Sequence, residues 1–155
     1  MKLGLIGFFS ASTGLLVDQT TKFAVIENAV PLAAGIKILP VFDLVFLRND
    51  GVSFGMLGGV PWWGLAALAL IICAFLVALI LRSDSRVEAV AYGSIIGGAL
   101  GNVTDRFRYQ AVTDFLSFHI ADFYWPAFNL ADVFVVCGAA ILVFETFRTS
   151  RRGQA

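Results

Sequence analysis

Charge is scarce in this sequence. Its 155 residues include 11 Lys and Arg against 11 Asp and Glu, 14% of the chain, where an ordinary soluble domain devotes roughly a quarter to charge. That shortage argues against a water-soluble globule. The formal net charge of zero also removes the basic surface that a nucleic-acid partner would need. Cysteine is nearly absent as well. Cys73 and Cys137 each sit inside an apolar run, where nothing electropositive or wet would help a thiolate form. Both read as packing residues, neither a disulfide pair nor nucleophiles. A single histidine, His119, with no Cys/His cluster around it leaves a zinc site without ligands, so neither a metal nor a cofactor is expected.

Hydrophobic residues are what the chain has in excess, at 59% of the total and a mean hydropathy of +0.85. Uncharged runs reach the roughly 20 residues that cross a bilayer as a helix. Four spans are expected, at about 3–23, 60–81, 87–106 and 127–147, with outer loops at about 24–59 and 107–126. Four spans of that length use about 80 residues, so 1–155 reads as a single integral membrane domain. The run from Leu3 to Val17 has a weak basic flank at Lys2 and continues through Asp18 and Lys22 to Ile26. It reads as a retained first span rather than a cleaved leader. Pro61-Trp62-Trp63 and Tyr124-Trp125-Pro126 supply aromatic belts at the outer ends of the second and fourth spans. Lys2, Arg82, Arg86, Arg148, Arg151 and Arg152 fall on one face, which the positive-inside rule makes cytoplasmic, with both termini.

Local patterns add detail. Gly93, Gly97, Gly98 and Gly101 give overlapping small-xxx-small spacings that let helices approach closely. Ile36 to Leu47 breaks at Arg48-Asn49-Asp50-Gly51, a hairpin-like turn before Val52-Ser53-Phe54, so a small sheet on the outer surface is expected. In the second outer loop Asp114, Leu116, Phe118 and Ile120 share one face of a strand, while Phe115, Ser117 and His119 take the other.

Ionisable groups at membrane depth are costly and are functional candidates by default. Asp18, Asn49, Asn102, Asp105, Arg106, Asp114, Asn129 and Asp132 all fall at the outer ends of spans or in the outer loops. Asp132 lies about six residues past Pro126, on the order of 9 Å below the aromatic belt at 1.5 Å per residue. Asn102 with Asp105, and Asn129 with Asp132, repeat an i, i+3 spacing that projects each pair from one helix face. Facing stripes would open a polar cleft. Two carboxylates close together in low dielectric do not both ionise, so one acts as base toward water while the other holds a proton and polarises a carbonyl. Asp132 is the strongest single candidate, with Asp105 and Asp114 competing to be its partner. Asp18 and Lys22 form a stabilising i, i+4 pair. Asp43, Asp50 and Asp122 read as solvated or turn residues, and His119 as a bystander. An ion-coupled carrier would need acids near the midplane and at both faces. A noncatalytic lipid- or helix-binding protein, using the Asn and Asp pairs as interhelical hydrogen bonds, is the alternative.

Five ordered segments resemble the lipoprotein signal peptidases, the type II signal peptidases, over nearly the whole chain. These are Asp18-Gln19-Thr20-Thr21-Lys22, Arg48 to Gly55, Gly97 to Arg106, Val112-Thr113-Asp114-Phe115 and Phe128-Asn129-Leu130-Ala131-Asp132. The resemblance implies a membrane-embedded aspartic endopeptidase: a four-helix transmembrane bundle with a small extracytoplasmic β-sheet cradle. It implies Asp114 and Asp132 as the catalytic dyad, setting aside the Asp105 that helical symmetry favours. Asn49, Asn102, Arg106 and Asn129 are implied as polar positioning groups, with Asp18, Lys22, Gly98, Gly101 and Asp105 supporting the pocket or its fold. Val52-Ser53 and Thr113 depart from the family's usual alanines and valine. The implied substrate is a prolipoprotein whose signal peptide precedes a diacylglyceryl-modified cysteine, cut on the amino side of that cysteine near the outer face of the bacterial cytoplasmic membrane. Block by globomycin-type cyclic peptides and a monomeric state in membrane lipid are expected.

Overall fold

The apolar runs fold as helices in the computed structural model, which describes residues 3–51 and 60–152. In chain order the elements are α1 (Leu3–Glu27), the short α2 (Ala29–Ala33), β1 (Ile36–Leu39), β2 (Phe42–Asn49), α3 (Trp62–Arg82), α4 (Arg86–Tyr109), β3 (Val112–Ile120), β4 (Phe123–Tyr124) and α5 (Leu130–Arg152). The molecule is mostly helical, with one small antiparallel sheet in the order β1-β2-β3-β4.

Small residues decide how the helices meet. The buried positions of α1 are Gly7, Gly14, Asp18 and Lys22, one stripe at helical spacing, and the stripe lies on α4. A Cβ added at Gly93 would collide with the carbonyl oxygen of Gly7, and one at Gly97 with that of Ala11. On another side of α4, a Cβ at Gly98 would strike the carbonyl oxygen of Ala131 in α5. α4 is therefore held between α1 and α5. Ile96 of α4 meets Cys73, Leu76 and Ile80 of α3 in an apolar core. Large apolar side chains on the outer faces, such as Phe8, Leu16, Ile71, Phe75, Val136 and Phe144, are exposed.

Among the described residues, two helices are long and apolar enough by length and composition to cross a membrane, Trp62–Arg82 and the Leu130–Thr149 part of α5. α1 and α4, with 25 and 24 residues, are at least as long. Their composition is diluted because α1 carries Asp18 to Lys22 and α4 carries four glycines and Asp105-Arg106. Asp18, Lys22 and Asp105 meet one another between α1 and α4, while Arg106 turns toward Gly51 at the end of β2.

The break expected at Arg48-Asn49-Asp50-Gly51 falls at the end of β2, where the Gly51 N–H donates to Asn49 Oδ1 at 3.1 Å; the sheet has a further hairpin that the sequence did not single out. The tight hairpin is at Pro40-Val41, between the paired residues Leu39 and Phe42, and β2 runs on through Arg48 and Asn49, which pair with Thr113 and Val112 of β3. Pro40 has a fixed φ and no N–H to give a ladder, whereas Arg48 and Asn49 find a partner strand. Val52, Ser53, Phe54 and Gly55 lie outside the described residues, as does Lys2. The strand expected around Asp114 is present as β3, but its burial grades along its length rather than alternating: Val112 to Phe115 are buried on both faces, while Phe118 and Ile120 are exposed. Asp43 is not solvated. It is buried in β2 opposite Ser117, with the His119 ring nitrogen 3.5 Å from its carboxylate. Its place in the ladder between β1 and β3 covers most of it.

Candidate active site

Two features of the chain bring Asp114 and Asp132 to one place. Phe128, just before α5, forms a bridge with Leu116 of β3: the Leu116 N–H donates to the Phe128 oxygen at 2.9 Å and the Phe128 N–H to the Leu116 oxygen at 3.0 Å. Continued in the antiparallel sense, that pairing sets Asp114 level with the first turn of α5. The second feature is the start of α5 itself. Asn129 accepts from the Asp132 N–H at 3.1 Å, and Asp132 accepts from the Asn129 N–H at 3.2 Å. This reciprocal arrangement is a capping box, and it fixes Asp132 in the first turn. The Asn-x-x-Asp spacing thus marks a helix start here, a signal legible in the sequence alone.

Both aspartates line a cavity of about 170 Å³, with Asn49, Gly51, Asn102, Arg106 and Val112. Asp114 is 2% exposed. Its two oxygens accept from Asn49 Nδ2 at 2.9 Å and Asn129 Nδ2 at 2.6 Å. Burial pushes its carboxyl up to about 6; the two amides pull the other way, and the charge of Asp132 adds to the rise. Asp132 accepts from Asn102 Nδ2 at 2.9 Å. Arg106 donates to the Gly51 carbonyl at 3.2 Å, closing the cavity wall between α4 and the end of β2. Two carboxylates, amide donors and a guanidinium around a small cavity hold water and a polar peptide group well. Among the described residues no cluster of His, Cys, Asp and Glu suits a metal ion.

Asp105 is elsewhere. It accepts from the Thr113 N–H at 2.8 Å and from Gln19 at 3.2 Å, and lies 3.7 Å from Lys22. The i, i+3 pair Asn102 and Asp105 therefore diverges: both meet Lys22 of α1, but Asn102 reaches on to Asp132 of α5 and Asp105 to Thr113 of β3. Donors supplied by α1 and β3 turn it, and helical spacing carries no record of them. Further along α4, Ser94 bonds Ser10 of α1 at 3.1 Å. Asp18 and Lys22 form the expected pair at 2.9 Å, both fully buried. Asp18 also accepts the Ala131 N–H at 2.9 Å, capping α5 from α1, and a Cβ at Gly101 would strike its carboxylate. Two residues were not singled out from the sequence. Gln19 bridges Asp18, Asp105 and the Gly101 carbonyl, each at 3.2 Å. Arg48 donates to Thr113 at 2.7 Å and stacks over Tyr109. An uncharged amide deep in an apolar helix was the signal for the first; the second shows only once β2 and β3 pair. His119 stacks on Tyr124 away from the cavity.

A family model described as Signal peptidase (SPase) II matches residues 10–148. Curated relatives described as lipoprotein signal peptidases include those of Aeromonas hydrophila subsp. hydrophila, 40% identical over 97% of this chain and 93% of the relative, and of Beijerinckia indica subsp. indica, 36% identical over 96% and 92%. The relative from Nitratidesulfovibrio vulgaris is 39% identical over 89% and 87%. Two solved structures, each described as a bacterial membrane enzyme obtained by the in meso method, share the fold. One has a TM-score of 0.82 at 24% identity, covering 93% of this chain and 88% of that one. The other has a TM-score of 0.77 at 25% identity, covering 90% and 91%.

Proposed function

We propose, from the premise that this chain belongs to the signal peptidase II family and is a bacterial membrane protease of lipoprotein processing, that it hydrolyses its substrate with Asp114 and Asp132 as an aspartic dyad. The observation that carries this reading is the shared cavity, reached by both carboxylates and by no other acid that lines it. The pair holds one proton between them. Asp114, pushed up to about 6 by burial, keeps it and hydrogen-bonds the scissile carbonyl, while Asp132 takes a proton from water as that water adds to the carbonyl carbon. The resulting gem-diol anion, held by the Asp114 proton, re-forms a carbonyl as the C–N bond breaks, and Asp132 passes its proton to the departing amine of the new N-terminal cysteine. Asn49, Asn102 and Asn129 hold the carboxylates in place, and Arg106 braces the wall at Gly51.

The substrate in this reading is a diacylglyceryl-modified prolipoprotein, cut on the amino side of its lipidated cysteine. All four long helices cross the membrane. At 1.5 Å per residue each exceeds the roughly 30 Å hydrocarbon core, and their outward faces are apolar. The termini and the α3–α4 turn are cytoplasmic, the sheet and the cavity lie toward the outer face, and one chain forms the complete site.

The test is cleavage of diacylglyceryl-modified prolipoprotein by wild type and by Asp105→Asn, Asp114→Asn and Asp132→Asn, normalised to folded protein in detergent. Asn at 114 or 132 is expected to lower turnover by at least about 10³-fold, because the base or the shared proton is lost. Asp105→Asn is expected to lower stability while its folded fraction still cleaves. Normal cleavage by Asp114→Asn with none by Asp105→Asn would restore the helical pair and overturn the dyad.

A further inference from the structure

Three asparagines surround the two aspartates. An asparagine amide presents either its NH2 or its oxygen to a neighbour, according to what holds its other half. At Asn49 the oxygen accepts from the Gly51 N–H at 3.1 Å, and at Asn129 it accepts from the Asp132 N–H at 3.1 Å. Backbone donors thus hold both oxygens, which leaves both NH2 groups for Asp114. Asn102 has no such help. It sits inside α4, where backbone N–H groups are already spent on the helix. Its oxygen is held instead by Lys22 Nζ at 2.8 Å, and its NH2 donates to Asp132 at 2.9 Å.

The lysine can hold this amide in one orientation only. An ammonium has three protons and no lone pair, so an NH2 turned toward it would meet donor against donor. Lys22 is 1% exposed, and its other neighbours are the Asp18 carboxylate at 2.9 Å and that of Asp105 at 3.7 Å. Those two acids aim Nζ at Asn102, and their own remaining oxygens are fixed by Ala131 N–H and Gln19. We infer that Lys22 is a positioning residue of the hydrolysis, acting through Asn102: it locks the amide so that only its NH2 faces Asp132. This inference rests on the dyad reading, with Asp132 as base. Without Lys22 the amide is free to turn its oxygen toward Asp132, and an oxygen there repels a carboxylate. The other charged groups around Asp132 are Asp114 of β3 and Arg106 of α4, which share its cavity.

A double-mutant cycle separates this role from a general one. Full-length wild type, Lys22→Met, Asn102→Ala and the double variant are assayed on diacylglyceryl-modified prolipoprotein across pH, with Asp132→Asn as reference. Lys22→Met is expected to lower kcat by about 10-fold to 100-fold, the scale of a mispositioned catalytic group, with KM little changed. The acid limb of its rate profile moves to higher pH, as does that of Asn102→Ala, and the double variant is no slower than Asn102→Ala alone. If the losses in kcat multiply, or the acid limb stays in place while activity falls, Lys22 acts through packing and not through Asn102, and the inference fails. Should Lys22→Met not accumulate folded, Asp18→Asn/Lys22→Met, which removes the salt bridge as a neutral pair, takes its place in the same cycle. Full turnover by Asp132→Asn would instead overturn the dyad reading itself, whatever the cycle gives.

Discussion

Asp114 combines near-complete burial with two amide donors, and the two influences oppose each other. Its value of about 6 lies above the ordinary 3.8, so the fold favours the neutral acid. That contribution to stability is fully present below 3.8 and is lost as pH rises through about 6. Asn49→Ala removes a donor that favours the ionised form. The Asp114 carboxyl resonance, followed by NMR, should therefore titrate at higher pH in the variant, and the alkaline limb of cleavage should move with it. A titration at lower pH would show that the amide does not act on the charge of Asp114. At this scale the sequence was partly legible. Asp132 stood out from chemistry alone, and the choice of Asp114 over Asp105 came from family resemblance, not from spacing. The contacts that bring Asp114 to the cavity and turn Asp105 away from it are the bridge between Leu116 and Phe128 and the bond from the Thr113 N–H to Asp105. The first fixes where a strand meets a helix start, and a helical wheel holds no information on that.

At the scale of elements, the glycines of α4 are where sequence and structure agree most closely. Their spacing announced close helix contacts: Gly93, Gly97 and Gly98 meet backbone carbonyls, and Gly101 meets the Asp18 side chain, which is held by Lys22 and the Ala131 N–H. Gly98→Ala meets the Ala131 carbonyl, next to Asp132, and Gly101→Ala meets the Asp18 carboxylate. Each should cost about 1–3 kcal/mol as an overpacking change, read as a lower melting temperature in detergent, and each should slow cleavage by displacing the start of α5. Gly4→Ala is the control. Its new methyl would touch only Leu81 at 3.9 Å, so it should be neutral or stabilise by up to about 1 kcal/mol through lower chain entropy. Equal losses at all three positions would point to a general intolerance of α1 and α4 rather than to these contacts. The hairpin was less legible. Arg48-Asn49-Asp50-Gly51 has the composition of a turn, yet Arg48 and Asn49 stay in β2 because β3 offers both a ladder partner and the Thr113 hydroxyl. The waiting strand moves the break by two residues, to Asp50-Gly51, where the Gly51 N–H bonds Asn49 Oδ1.

For the whole molecule, hydropathy understates the helices that matter most. α3 and α5 read as spans from composition, whereas α1 and α4, which the proposal also sends across the membrane, bury Asp18, Lys22 and Asp105 between them. The proposed orientation is open to a direct check. In a Cys73→Ala/Cys137→Ala background, Asp122→Cys in the β3–β4 turn should react with a membrane-impermeant maleimide added to intact spheroplasts. Asp84→Cys in the α3–α4 turn should react only after permeabilisation. The reverse pattern would invert the protein in the membrane. The charge bias behind this expectation was mild, resting on Arg82, Arg86 and the basic residues near the end of α5. The bond from the Ala131 N–H to Asp18 joins the first long helix to the last, and it bears on biogenesis. A ribosome releases α1 early and α5 late. Asp18 and Lys22 must wait in the bilayer for a partner that has not yet been made, and until it arrives neither the cap of α5 nor the pocket beside it exists. A nascent chain that stalls before its last helix is thus a membrane protein with no scissors, unable to cut whatever precursor lies beside it.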